Sequence, residues 1–167
     1  MSRTRIYWIS GGVLVLNLIA DRLTKILAVE YLKGNDPISF FFNTIVLRYT
    51  ENTGAFLSLG NNWPETVKVV VLLILPIAAC VVAVIFSLFF EPRIGRSVLI
   101  ATIAAGGLGN LFDRLLRSFH VIDFLNFGIG SLRTGILNVA DISVTFGAIL
   151  LVIFEYQETG RKTKNVG

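Results

Sequence analysis

Two aspartates stand out among the residues able to do chemistry. Asp123 is enclosed by Val121, Ile122 and Phe124, and a carboxylate inside an apolar run needs a partner or a task. Asp141 follows Asn138 by three residues at the head of another apolar stretch, with Ser143 and Thr145 continuing a polar seam behind it. An Asn cap with an acid three residues on is an ordinary helix start, and the helix dipole favours an anion there. Spacing alone leaves Asp141 open between that reading and a reactive one. Two carboxylates brought together cannot both ionise and share one proton. One then acts as general base toward a water while the other, protonated, polarises a scissile carbonyl. The apolar flanks of Asp123 favour its neutral form, so Asp141 is expected to be the ionised member, although the titration belongs to the pair. Other hydrolytic chemistries lack parts. Cys80 is the one cysteine and His120 the one histidine, so neither a disulfide within the chain nor a metal cluster has its residues.

A second group of polar residues sits in or beside apolar stretches, where each ionisable side chain is costly. Asp21 and Lys25 are spaced i,i+4 and can pair on one helical face. Asn110, Asp113 and Arg114 share a face at i, i+3 and i+4, just after Ala105 and Gly109, whose small-xxx-small spacing suits close helix approach. One reading is a tightly packed helix with a polar end and an Asp–Arg pair. The other has Asn110 and Arg114 presenting donors to a substrate backbone that the glycines let come close. Spacing does not separate them.

The elements that must position these residues belong to a bilayer. Hydrophobic residues make up 54% of the 167 and charged ones 16%, against about 45–50% and about 25% in soluble domains, and mean hydropathy is +0.73. The composition predicts a single membrane-embedded domain over residues 1–167. Its fold class is an all-α integral membrane protein with four transmembrane helices near 6–28, 67–90, 98–116 and 139–156, each close to the ~20 residues a crossing needs. Pro76 is expected to mark a kink in the second. A cleaved signal peptide is the alternative for the first stretch, but Asp21 and Lys25 are placed as working parts.

The net charge of +4 is distributed as a membrane topology requires. Arg3 and Arg5, Arg93 and Arg96, and Arg161, Lys162 and Lys164 occupy short segments, which puts both termini in the cytoplasm. A basic stripe interleaved with aromatics, as single-strand binders use, is absent, so no nucleic-acid partner is expected. The connections at 29–66 and 117–137 then lie outside. The first holds Phe40, Phe41, Phe42, Ile45, Val46, Leu47 and Tyr49, which predict a small β-like or interfacial outer platform between helices one and two, ending in the turn Asn52-Thr53-Gly54. Trp63 suits the headgroup layer.

Taken together these blocks resemble a known family, the lipoprotein signal peptidases of type II, across nearly the whole chain. The matching segments are Asp21-Arg22-Leu23-Thr24-Lys25, Asn52-Thr53-Gly54-Ala55-Phe56, the run 106–114, Val121-Ile122-Asp123-Phe124 and Asn138-Val139-Ala140-Asp141, in the family's order. The resemblance implies a membrane aspartic endopeptidase that cleaves bacterial prolipoproteins on the amino side of a diacylglyceryl-modified cysteine, at the outer face of the cytoplasmic membrane. It places the catalytic roles on Asp123 and Asp141, and substrate-site positions at Asn52, Gly54, Asn110, Arg114 and Asn138. Asp21, Lys25, Gly109 and Asp113 fall at positions that support fold and geometry. Prolipoprotein and membrane lipid are the implied partners, and no cofactor or metal is implied. The chain departs from the family's pattern at Arg22, where Gln is usual, and over 128–135, where an aromatic and a proline are common.

Two rivals remain distinguishable. A small transporter would thread polar residues at mid-depth through several helices, whereas the 67–90 stretch is almost purely apolar. An inactive relative would be expected to lose one of the two aspartates, and both are present.

Overall fold

A computed structural model of the chain describes residues 2–54 and 62–164, the last four by backbone alone. Four helical segments and a small sheet make up the described part. Helix α1 spans Arg3–Leu32 and stops where Gly34, at φ 79°, takes a left-handed conformation that a side chain would oppose. Strands β1 (Ile38–Phe40) and β2 (Ile45–Asn52) follow. Helix α2, Glu65–Phe90, starts after Pro64, with Glu65 placed favourably at the positive end of the helix. Helix α3 is Ile94–Leu116, strands β3 and β4 are Val121–Ile129 and Leu132–Leu137, and α4 is Val139–Lys164.

Pro76 has no N–H to offer, and its ring crowds the carbonyl four residues back. The helix meets this by widening rather than breaking. Val70–Ile74 forms π-type turns, and the N–H of Leu75 reaches back to Val70 O.

Among the described residues, α2, α3 and the Val139–Gly160 part of α4 are long and apolar enough to cross a membrane. Helix α1 is not in that set, since its 30 residues carry Asn17, Asp21, Arg22, Lys25 and Glu30.

The platform expected between the first two helices is a four-stranded antiparallel sheet ordered β1-β2-β3-β4. Half of it comes from the connection between α3 and α4, which corrects the platform's origin, while the fold is mostly helical with this small sheet. Strand pairing explains why the 117–137 stretch reads as a loop in sequence: β3 is buried on both faces at Val121–Phe124, so it lacks the alternation that marks a strand. Ile122 and Phe124 pack on Ala28 and Leu32 of α1. The pairs Leu47↔Leu125 and Thr50↔Asp123 leave an extra residue on β2, a bulge of the sort that re-aims side chains beside a site. The unusual 128–135 stretch is a β-hairpin, with Gly128 pressed so close to Arg133 that a Cβ would lie 2.6 Å from its Cα.

The helices are joined by small residues. A Cβ on Gly106 would lie 2.4 Å from Ala140 O, and one on Gly109 would lie 2.7 Å from Asp21 Oδ2. These glycines admit α4 and α1, so the close approach they allow is between helices. Cys80 is a packing residue, buried against Gly107.

Candidate active site

Charge is neutralised first. Lys25 Nζ lies 2.8 Å from Asp21 Oδ2 and 2.9 Å from Asp113 Oδ2, and donates to Asn110 Oδ1 at 3.0 Å. The other oxygen of Asp21 accepts the Ala140 N–H at 2.9 Å, fixing the first turn of α4 to α1. Asp113 Oδ1 faces Arg22 at 3.2 Å, and its Oδ2 accepts the Ile122 N–H at 3.4 Å, joining the end of α3 to the start of β3. The expected pair between Asp113 and Arg114 is therefore replaced by pairs to α1, with Arg117, just past the end of α3, 3.9 Å away. An ion cluster of this kind is weak evidence for stability, but removing one member strands a buried charge at about 3–5 kcal/mol.

On this base stands a set of amides. Asn110 donates from Nδ2 to Asp141 Oδ1 at 2.8 Å, while its Oδ1 receives Lys25 and also Asn138 Nδ2 at 3.0 Å. Asn138 caps α4 reciprocally. Its Oδ1 accepts the Asp141 N–H at 2.9 Å, and its own N–H reaches Asp141 Oδ2 at 3.2 Å, a capping box. The same Nδ2 that meets Asn110 donates to Asp123 Oδ1 at 2.6 Å. One asparagine thus touches both aspartates, Asp141 through the helix cap and Asp123 through its amide. Asn52, at the end of β2, adds a donor to Asp123 Oδ2 at 3.3 Å.

Arg114 continues the ring of polar groups. Its Nη2 donates to Gly54 O at 2.9 Å, and Gly54 in turn donates its N–H to Asn52 Oδ1 at 3.0 Å. Buried Nε of Arg114 has no hydrogen-bond acceptor among the described residues. Ala55 and Phe56, the rest of the Asn52 block, lie outside those residues. His120 remains local, its Nδ1 2.9 Å from the carbonyls of Arg117 and Ser118. Among the described residues no three His, Cys, Asp or Glu side chains converge as metal ligands would.

Electrostatics separate Asp123 from an ordinary carboxyl. Burial first, and then the charge of Asp141, push its pKa from the usual 3.8 to about 7, against hydrogen bonds from Asn52 and Asn138 and the charge of Lys25. The site can therefore hold a proton near neutrality beside a second carboxylate.

Several contributors escape sequence reasoning. Asn17 accepts from Ser143 Oγ at 2.8 Å, tying α1 to α4 below the site. Ser10, Ser87 and Ser97 form a buried hydroxyl knot at the other end, with Ser10 Oγ 2.7 Å from Ser97 Oγ. Single small polar residues in apolar helices carry little signal, because a helix can also satisfy them on its own carbonyls.

The chain is similar to known proteins over most of its length. The profile of the Signal peptidase (SPase) II family matches residues 13–157. A lipoprotein signal peptidase of Borrelia duttonii (strain Ly) is 38% identical over 140 residues, covering 81% of this chain and 82% of that protein. One from Borreliella afzelii (strain PKo) is 37% identical over 150 residues, covering 86% and 88%. A solved structure described as a bacterial membrane enzyme superposes with a TM-score of 0.79 at 27% identity, covering 92% of this chain and 91% of that one.

Proposed function

This chain belongs to the signal peptidase II family, proteases of the membrane that process prolipoproteins, and from that premise we propose that Asp123 and Asp141 form an aspartic dyad cutting on the amino side of a diacylglyceryl-modified cysteine. The observation that carries the dyad is the double role of Asn138, which bonds both carboxylates and so fixes their relative positions. Asp141, gripped by Asn110 and the Asn138 N–H, takes a proton from a water as the oxygen adds to the scissile carbonyl carbon. Protonated Asp123 donates to the carbonyl oxygen as negative charge develops there. When the gem-diol adduct collapses, Asp141 gives its proton to the departing cysteine amine and Asp123 takes one back from a diol hydroxyl, leaving the carboxylic acid of the signal peptide and both aspartates as they began. Arg114 offers its spare Nε to a substrate carbonyl, and Asn52 and Gly54 line the approach.

Helix α1 completes four spans in a single domain over 1–167. Asp21 and Lys25 turn inward and pair, while Trp8, Leu16, Ile19, Leu23 and Leu27 remain exposed as a lipid-facing side. Both termini and the Arg93–Arg96 loop face the cytoplasm by the positive-inside rule. The aspartates and the sheet then face outward. Binding energy from the substrate's lipid and signal helix, remote from the reacting bond, positions that bond.

The direct test incubates the purified enzyme in bilayers with a diacylated prolipoprotein and with its non-lipidated form. Shortened product from the first alone supports the reading. Cleavage of both at equal rate removes the lipid requirement, and cleavage of neither sinks the assignment.

A further inference from the structure

Beside the outer end of α1 lies a groove of about 560 Å³ between α1, α2 and α3, within the ~300–1,000 Å³ usual for small-molecule sites. Leu18 and Ile19 line it from α1, Ile77 from α2, and Leu108, Phe112 and Leu115 from α3. Ile19, Phe112 and Leu115 are exposed, so the groove communicates with the lipid-facing surface. Its walls are hydrocarbon except at one end, where Arg22 sits beside Asp21, whose carboxylate is taken by Lys25 and the Ala140 N–H.

The charge at that end is unbalanced. Asp113 Oδ1 is approached by Arg22 at 3.2 Å and by Arg117 at 3.9 Å, while Lys25 takes Oδ2 and also Asp21. Three cations meet two carboxylates, leaving one positive charge over. The excess lies on the arginines, because Lys25 is enclosed whereas the side chains of Arg22 and Arg117 are 38% and 33% exposed. Arg22 is further held over the Phe112 ring, 5.1 Å from its centroid. Both guanidiniums reach the same oxygen of Asp113, Arg22 from the groove and Arg117 from just past the end of α3, and guanidinium forks suit phosphate oxygens.

We propose that this groove is a binding site for an anionic phospholipid, with one acyl chain between α1, α2 and α3 and the phosphate held by Arg22 and Arg117. The lipid is neither substrate nor product. By supplying the missing negative charge it fixes Asp113 and Lys25, and through Lys25 the Asn110 amide that holds Asp141. Lipid composition is thereby coupled to the positioning of the site without touching the scissile bond.

The full-length protein is tested by native mass spectrometry and thermal unfolding in phosphatidylglycerol against phosphatidylcholine of identical chains. Wild type is expected to retain phosphatidylglycerol roughly ten- to thirty-fold better, the scale of two basic side chains at a lipid surface, and to unfold at higher temperature in it. The Arg22→Gln, Arg117→Gln double variant should lose that preference while unfolding cooperatively in phosphatidylcholine. Leu108→Trp, which fills the groove and keeps both arginines, should also weaken retention. Arg5→Gln, at the far end of α1, should leave the preference intact. Equal retention of both lipids by wild type overturns the proposal, as does a preference that survives the double variant or is lost in Arg5→Gln. A glycerol phosphate that stabilises as well as the lipid overturns the acyl-chain assignment, and displacement by a diacylated substrate peptide would make the groove a substrate site instead.

Discussion

Asp123 and Glu91 are buried almost equally, at 3% and 2% of their surface, yet their surroundings drive their carboxyls in opposite directions. Asp123 is raised to about 7 by burial and by the charge of Asp141. Its direct partners, Asn52 and Asn138, are neutral amides that orient it without neutralising it. At Glu91, in the loop between α2 and α3, burial would also raise the pKa, but hydrogen bonds and charge from Arg93, with the charge of Arg96, outweigh it and hold the carboxyl below its usual 4.5. The cover differs too, since the arginines over Glu91 are themselves about a third exposed, whereas Asp123 lies in the buried stretch of β3. One carboxylate is held ionised to fasten a loop. The other is kept able to exchange a proton, and the protein achieves the difference by choosing amide or guanidinium neighbours.

The sharpest way to break this contrast is to remove the exchangeable protons. Asp123→Asn and Asp141→Asn should each lower prolipoprotein processing by at least about 1,000-fold, since residues acting as one unit fail together. Each variant should still insert and unfold as wild type does. Gel-shift of a diacylated substrate measures the first and thermal unfolding the second. Processing by either variant at the parental rate would detach the raised carboxyl from catalysis.

Next in size is the ion cluster beneath the amides. Lys25→Met leaves Asp21 and Asp113 facing each other without their shared cation, at a cost of about 3–5 kcal/mol. Because Lys25 also holds Asn110, activity should fall further than the loss of folded protein accounts for. Comparing rate per folded molecule with the melting temperature separates the two effects, and a purely proportional loss would reduce the cluster to scaffolding.

Legibility from sequence follows the same division. Three of the spans, the Asp21–Lys25 pair and the candidate aspartates are visible because a long apolar run needs lipid and charge within it is costly and must be answered. The answer itself is not visible. Asp113 pairs across 88 and 91 residues with Lys25 and Arg22 rather than with its neighbour Arg114, and no local spacing encodes that. The β3–β4 half of the sheet is hidden because Val121–Phe124 is covered on both faces and reads as featureless hydrophobicity. Asn138 is legible as a cap, but its second role depends on β3 lying alongside, so a local motif conceals the contact that unites the site.

A smaller effect tests the proton directly. A mechanism needing Asp123 protonated predicts that kcat/KM declines as pH rises through about 7, approaching ten-fold per unit. The hydrogen bond from Asn52 favours the ionised form, so Asn52→Ala should move this limb to higher pH, whatever it does to the maximal rate. A limb that stays in place, or moves down, would mean that Asp123 is not the group being titrated.

The smallest effect belongs to Glu91 and has the opposite sign in pH. Its carboxyl is depressed in the folded protein, so its contribution is fully present above the unfolded value near 4.5 and is lost as pH falls through the folded value. Glu91→Gln should therefore destabilise by about 1 kcal/mol at pH 7, a figure kept small by the exposure of Arg93 and Arg96. The gap between variant and parent should close in acid. Substrate processing per folded molecule should be unchanged, because nothing in the loop touches the amides around Asp123 and Asp141. Melting curves of both proteins from pH 3 to pH 8 decide it. A gap that widens in acid would place Glu91 with Asp123, as a carboxyl held protonated, and erase the distinction between the two ends of the molecule.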